Sequence, residues 1–183
     1  MSGISRSAAA PFRADTRRPM PAKTSKPSVP DADRTPSARL SEAPMHGIVG
    51  YQIAQAGIVT DAIFEQQVGR PGELRKVEFT ILALVQGNPD VTARQLARAL
   101  AVTPPNIAIW LERLASRGLV ARQRSTSDAR VQHIRCTPEG ARLVTRAVRQ
   151  VVQAEAEALT TLSSAERAML VELLHKVAMA RRR

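Results

Sequence analysis

The sequence predicts a mainly α-helical fold with one small β-hairpin. Three observations support this fold class. Apolar residues recur at helical spacing from residue 46 onward. Several Ser and Thr residues are followed directly by a proline, or by a Gln or Glu three positions later. Both patterns are typical of the starts of helices. Only one pair of short strand-like segments, residues 119–124 and 130–136, flanks a polar tip.

The chain has two parts of different composition. Residues 1–44 contain seven of the 12 prolines and almost no large apolar side chains. Such a segment cannot bury enough surface to offset its ordering entropy, so we expect it to be a disordered tail. Its arginines faintly resemble those of a transit peptide, but a cytoplasmic tail or an upstream start-codon artefact is the better interpretation. Residues 45–183 are expected to form the folded domain.

The charge of the chain indicates a polyanionic partner. The 183 residues carry 27 basic and 16 acidic side chains, a net charge of +11. Residues 94–135 alone contain eight arginines and two acidic residues, although a charged surface also serves solubility. One cysteine excludes a disulfide framework and a Cys-rich zinc module. No uncharged stretch is long and apolar enough for a membrane span, so we expect a cytoplasmic protein that binds no membrane.

The first two helices are predicted over residues 46–69 and 73–86. Between residues 47 and 68 the only charged side chains are Asp61 and Glu65. A helix that is apolar on nearly every face must be buried on more than one side, which in a small protein indicates a helix between two subunits. The second helix ends at the helix-breaking residues 87–89, a Gly-Asn-Pro sequence.

Two short helices follow, separated by a tight turn. Thr92 and Gln95 form a capping box at the start of a helix that ends at residue 100. Thr103 is predicted to cap the next helix, over residues 103–117. The inner stripe of this helix consists of Ile107, Leu111 and Leu114, with Trp110 beside it as core filler or as a transmitter of ligand binding.

The hairpin and two long helices complete the domain. A Thr-Pro-Glu sequence at 137–139 begins a helix that extends to about residue 159, and Ser163 and Glu166 form a capping box that begins the last helix. Two short helices joined by a turn and followed by a hairpin define a winged helix-turn-helix, here over residues 73–136.

This fold predicts contacts to double-stranded DNA. The helix over residues 103–117 is the candidate for the major groove, and its first turn is expected to offer free backbone N–H groups to a phosphate. Asn106 suits an adenine edge and Ile109 a thymine methyl group. Wing arginines suit phosphates or a minor groove. The predicted DNA-binding residues are Thr103, Pro105, Asn106, Ile109, Arg113, Arg122, Arg124 and Arg130.

Four stretches of the chain resemble the MarR family of transcriptional regulators. They are residues 96–107, 111–120, 127–130 and 136–140. The most specific feature is the Asp-x-Arg motif of the wing, which is followed by a strand and then by Thr-Pro-Glu-Gly. The resemblance implies a homodimer whose dimerisation helices are residues 46–69 and 138–180. It further implies a repressor that a small phenolic or aromatic-acid ligand releases from DNA. A dimer would read a pseudo-palindromic operator.

Two positions depart from the family pattern. Ile109 stands where the family often has arginine, and Ala108 stands where it often has serine. We therefore expect a more apolar readout that favours A·T pairs. Asp128 is an acidic residue in a basic wing, and we interpret it as holding Arg130, or another wing arginine, by a charge-assisted hydrogen bond.

The candidate ligand-binding residues are His46, Tyr51 and Arg75. They are polar groups among apolar ones on the first helix and at the start of the second. Each has a plainer interpretation, respectively as a solvated cap, an interface anchor and a surface charge.

No set of residues predicts an enzyme, a metal site or a cofactor. Cys136 and His133 lie three apart on a predicted strand and therefore point to opposite faces. Cys136 is interpreted as core filler, with a redox sensor as the alternative. The three histidines lack metal-ligand spacing. The alternative function is a winged-helix protein-interaction module that reads no DNA sequence.

Overall fold

The computed structural model describes residues 34–124 and 131–181. The chain divides into two units, residues 1–48 and 49–183. In the first unit, Arg34 pairs with Ser41 across a turn, and the Thr35 N–H donates to the Leu40 carbonyl at 2.9 Å. The disorder expected for residues 1–44 stays a prediction, because residues 1–33 lie outside the described ranges.

The described part of the second unit contains six helices and a three-stranded sheet, which confirms the predicted fold class. The first helix, α1 (Val49–Phe64), continues through a π-helical turn (Glu65–Gly69) and a short helical turn (Arg70–Gly72). The other helices are α2 (Lys76–Gly87), α3 (Ala93–Leu100), α4 (Pro104–Ser116), α5 (Pro138–Ala158) and α6 (Ser164–Met179). The strands are β1 (Val91–Thr92), β2 (Val120–Arg124) and β3 (Gln132–Cys136).

Strand β3 is the centre of an antiparallel sheet of order β1-β3-β2. Ile134 of β3 lies opposite Val91 on one side and Arg122 on the other. The sequence pattern missed β1, because two residues are too few to show the alternation of a strand. The hairpin strands are shorter than predicted, beginning at residues 120 and 132, and the tip at 125–130 lies outside the described residues.

Two predicted helix starts were wrong by three residues. Helix α1 begins at Val49 rather than at residue 46, because residues 43–47 form a turn. Helix α2 begins at Lys76 rather than at residue 73. Glu73 has the left-handed φ of 48°, and Arg75 is extended with ψ of 149°, so neither can continue a helix.

The hydrophobic core lies between α2, α4, the sheet and the first half of α5. The predicted inner stripe of α4 is confirmed, since its three residues are at most 2% exposed. Phe64, at the end of α1, joins this core, and Trp110 packs against it as a partly buried side chain. The most deeply buried apolar side chains are Ile81, Leu82, Leu96, Ile107, Leu111, Leu114 and Val144.

Helix α5 begins at a close crossing with the chain that enters β2. The Thr137 hydroxyl donates to the Gly118 carbonyl at 2.7 Å and accepts from the Gly140 N–H at 3.0 Å. The Thr137 N–H donates to the Leu119 carbonyl at 3.1 Å. A Cβ atom at Gly140 would lie 2.0 Å from that carbonyl oxygen, so only glycine fits there.

The terminal helices leave a large apolar surface uncovered by the chain itself. Helix α6 has no buried residue. Its seven large apolar side chains are 40–71% exposed: Met169, Leu170, Val171, Leu173, Leu174, Val177 and Met179. Helix α1 likewise exposes Val49, Ile53, Ile58 and Val59 by 42–64%. Among the helices of the described ranges, none combines the length and hydropathy that crossing a membrane requires.

Candidate nucleic-acid interface

Helix α4 separates an apolar inner face from an exposed outer face. Its outer face carries all of the side chains predicted to face a groove, and Ile109 is 58% exposed. A large apolar side chain at such an exposed position suits contact with the methyl groups of thymine. The exposed residues of this face are Pro105, Asn106, Ala108, Ile109, Glu112 and Arg113.

The first turn of α4 offers no free backbone N–H group, so this part of the sequence prediction was wrong. Pro104 and Pro105 occupy its first two positions and have no N–H to donate. The next two N–H groups, of Asn106 and Ile107, both donate to the Thr103 carbonyl, at 3.1 and 3.3 Å. Thr103 is the N-cap residue, as predicted, but its hydroxyl makes no capping hydrogen bond. Phosphate contacts at this end would therefore come from side chains.

The wing contacts α4 through an ion pair. Arg122 of β2 lies 3.1 Å from Glu112 of α4, and both side chains are well exposed. Arg124, at the end of β2, is exposed and makes no ion pair with any residue in 34–124 or 131–181. Asp128 and Arg130 lie outside the described residues.

Two arginines of the arginine-rich segment 94–135 bind other parts of the fold and are not free to contact a partner. The Arg117 guanidinium donates to the carbonyl groups of Gly72 and Glu73, at 2.8 and 2.7 Å, and thereby closes the left-handed turn before α2. Arg135 donates through Nε to the Asp90 carboxylate at 3.0 Å. The charge between residues 94 and 135 is therefore less available to a partner than the sequence indicates.

Arg113 also has an internal partner. Its Nε lies 3.1 Å from the Oε1 atom of Glu78 on α2, and Arg113 is 45% exposed whereas Glu78 is 2% exposed. Glu78 is the only buried charged residue in the described part of the chain. The sequence prediction named Arg113 as a DNA contact and did not single out Glu78.

Besides Arg124, two helices carry rows of exposed arginines without an ion partner among the described residues. Arg94 and Arg98 belong to α3, next to α4. A second row on α5 consists of Arg142, Arg146 and Arg149, which line an open groove of about 540 Å³ beside Gln86 of α2. This row lies outside the segment that the charge count identified, and its i, i+4, i+7 spacing was the available signal.

The candidate ligand residues are placed as follows. His46 lies in the turn before α1 and not on the helix, contrary to the prediction. Tyr51 is partly buried in the first turn of α1, and Arg75 is exposed at the N-cap of α2. Neither Tyr51 nor Arg75 lines the groove on α5, nor the groove of about 670 Å³ that Arg117 and Leu119 help to form.

Cys136 is placed as core filler. It packs against the buried cluster, and its thiol lies 3.5 Å from the Leu82 carbonyl. Burial raises the pKa of the Cys136 thiol, so the reactive thiolate is disfavoured at neutral pH. No group of three or more metal-ligating side chains occurs within residues 34–124 and 131–181.

A core-packed helix-turn-helix with an exposed second helix and a flanking wing defines a winged helix-turn-helix, the fold of a large class of DNA-binding transcriptional regulators. The model of the MarR family matches residues 74–131. This match confirms the resemblance to the MarR family that the motifs predicted.

Solved structures agree with this assignment over most of the chain. The transcriptional repressor CouR of Rhodococcus jostii RHA1, bound to a 23-mer DNA duplex, is 27% identical, with a TM-score of 0.69 over 76% of this chain and 98% of that one. BpsR of Bordetella bronchiseptica is 26% identical, with a TM-score of 0.64 over 73% of this chain and 95% of that one, and its DNA binding is regulated by 6-hydroxynicotinic acid. Apo MarR of E. coli is 25% identical, with a TM-score of 0.61 over 70% and 96%.

Proposed function

We propose that the protein is a homodimeric, sequence-specific DNA-binding regulator, most simply a repressor. We further propose that a small aromatic ligand lowers its affinity for DNA. The observation that supports it best is the outer face of α4, where Asn106 and Ile109 are exposed beside strand β2 of the wing, which ends at Arg124. The similarity to CouR, solved on a DNA duplex, supports binding to double-stranded DNA. The proposed role of Asp128, to hold Arg130, belongs to this wing.

The homodimer is supported by the uncovered apolar surface of α1 and α6. Single exposed apolar side chains are ordinary, but an entire helix with seven exposed by 40% or more indicates a protein interface. The late turns of α5 extend this surface, since Val152 is 61% exposed. Two copies related by a twofold axis would present two α4 helices to half-sites about one helical turn apart.

An aromatic acid is the proposed effector because BpsR, one of the similar proteins, responds to 6-hydroxynicotinic acid. A carboxylate of such a ligand suits a guanidinium, and the planar ring suits the apolar surroundings of a tyrosine. His46, Tyr51 and Arg75 stay the proposed ligand residues. A ligand that favours a dimer with misplaced α4 helices would shift the population away from the DNA-competent form.

The DNA part of the proposal is tested with an operator selected from random duplexes. We expect the logarithm of the binding constant to fall steeply with the logarithm of salt concentration. Replacing Arg124 by alanine removes two phosphate contacts from a dimer, so it is expected to reduce that slope by about 1.8 and to weaken binding to all sequences alike. Replacing Asn106 by alanine is expected to lower affinity for the operator alone, by about 10- to 100-fold. Fluorescence anisotropy with labelled operator and scrambled duplex measures both effects.

Glu139→Gln, an exposed change outside the helix-turn-helix, is the control and is expected to leave operator discrimination unchanged. A flat salt dependence without a preferred sequence would overturn the proposal in favour of a protein-interaction module.

The effector part is tested by titrating Trp110 fluorescence with 4-hydroxybenzoate and 6-hydroxynicotinate. Trp110 is the single tryptophan and lies on α4, so its emission reports on the recognition helix. We expect a saturable change with at least one of the aromatic acids and a parallel loss of operator binding. Cyclohexanecarboxylate, which has the carboxylate without the aromatic ring, is the matched control. Equal responses to all three compounds would contradict a site for aromatic rings.

A further inference from the structure

We propose that Glu78 is a positioning residue for the recognition helix, and that Arg113 orients α4 through Glu78 and does not contact DNA bases. This inference rests on the proposed function, because it assigns how α4 is held for DNA binding. It also reassigns Arg113, which the sequence alone places among the DNA contacts.

The Glu78 carboxylate connects the beginning of α2 to the middle of α4. Its Oε2 atom accepts the Arg75 backbone N–H at 3.0 Å and so caps α2. Its Oε1 atom lies 3.1 Å from Nε of Arg113, across the contact between the two helices. The carboxylate is almost entirely buried, beside neighbours in α2 that belong to the apolar core.

A buried carboxylate needs a counter-charge, which fixes the place of Arg113. Oε1 of Glu78 has no hydrogen-bond donor with good geometry, so the nearby guanidinium provides its electrostatic compensation. If Arg113 swung out to a base, it would leave the buried Glu78 carboxylate without a counter-charge, and removing one partner of such a pair is strongly unfavourable. A single base contact compensates this loss only in part, so the internal pair is favoured.

The pair adds a constraint that the apolar stripe lacks. The inner face of α4 packs through aliphatic side chains, and such contacts tolerate small rotations of a helix about its axis. Arg113 lies on the flank of α4 and joins it to a fixed point on α2. The rotation that aims Asn106 and Ile109 outward is therefore set by Glu78. Because the same carboxylate caps α2 at Arg75, a displacement of the α2 start also displaces α4.

The substitution Glu78→Gln distinguishes whether Arg113 positions α4 or reads DNA, because the two roles predict opposite changes in operator affinity. The amide is nearly isosteric and keeps an oxygen for the Arg75 N–H, but it loses the charge that holds Arg113. If Arg113 is positioned by Glu78, operator affinity falls by about tenfold or more, the affinity for scrambled duplex is unchanged, and the salt slope is unchanged. If Arg113 reads DNA, its release leaves operator affinity equal or higher, and this result overturns the proposal.

Two further variants test the pair independently of how well Glu78→Gln folds. Arg113→Lys keeps a charge that can pair with Glu78 but loses the planar fork that a guanidinium presents to a guanine edge. We expect it to keep operator affinity within about threefold of the original, whereas a loss of tenfold or more would contradict positioning. Glu78→Gln combined with Arg113→Gln is expected to bind the operator no more weakly than either single variant, while additive losses would overturn the proposal.

All variants are compared at a temperature at which circular dichroism shows them folded. Trp110 emission is recorded with each, because a rotated α4 changes the packing of its indole against the core. Unchanged Trp110 emission in Glu78→Gln would also overturn the proposal. Absence of operator binding by the unsubstituted protein would instead contradict the proposed function, so the two failures are distinguishable.

Discussion

Replacing Gly140 by alanine is expected to destabilise the protein by about 3 kcal/mol or more, the upper end of the cost of overpacking. The added Cβ would lie 2.0 Å from the Leu119 carbonyl oxygen, a backbone atom that cannot turn away as a side chain can. That oxygen also accepts the Thr137 N–H, so moving it breaks the bonds that join β2 to the start of α5. Urea unfolding followed by circular dichroism measures the change.

Gly87→Ala is the matched control for this prediction. Gly87 lies in the last turn of α2, and a Cβ there would meet no atom within 4 Å. Alanine is expected to stabilise the helix by about 0.5–1 kcal/mol. Equal effects of the two substitutions would show that helix propensity, and not the crossing at Leu119, determines the outcome at Gly140.

The double substitution Leu170→Lys with Leu174→Lys is expected to convert the proposed dimer into monomers. The two leucines are one helical turn apart on α6 and are 40% and 41% exposed in the single chain. Burying two ammonium groups in an apolar interface is unfavourable, and the loss of two anchors should raise the dimer dissociation constant by about 100-fold or more. Sedimentation equilibrium measures this constant, and operator affinity is expected to fall with it.

Glu172→Lys is the control, since it changes the net charge by the same +2 on the same helix. Glu172 faces away from the two leucines, and its ion pair with Lys176 is exposed on both sides, so the pair contributes little. Both variants gain positive charge, which favours DNA non-specifically. A double-leucine variant that stays dimeric while still folded would show that α6 is not the dimer surface.

Local signals in the sequence predicted the winged helix well. The capping boxes at Thr92 and Ser163 are present with both of their reciprocal hydrogen bonds, and α3 has the predicted bounds. Caps, proline positions and apolar spacing act within one or two turns of chain, so they can be read from neighbouring residues. The inner and outer faces of α4 followed from the same spacing.

Contacts between distant residues could not be predicted in this way. Arg113 and Glu78 are 35 positions apart, and only the packing of α2 against α4 brings them together. Nothing in the neighbourhood of Arg117 indicates that it binds the carbonyl groups of Gly72 and Glu73. A count of arginines therefore overestimates the charge available to DNA, because it cannot separate those that hold the fold from those that face a partner.

The two prolines at the start of α4 have a consequence for how the recognition helix meets DNA. A proline ring fixes φ near −65°, so the first turn of α4 is already set in the helical conformation before any contact forms. The end of α4 that we propose to enter the groove therefore frays little and would lose little backbone entropy on binding. Asn106 is presented from a rigid base, which favours discrimination between sequences over adaptation to each of them.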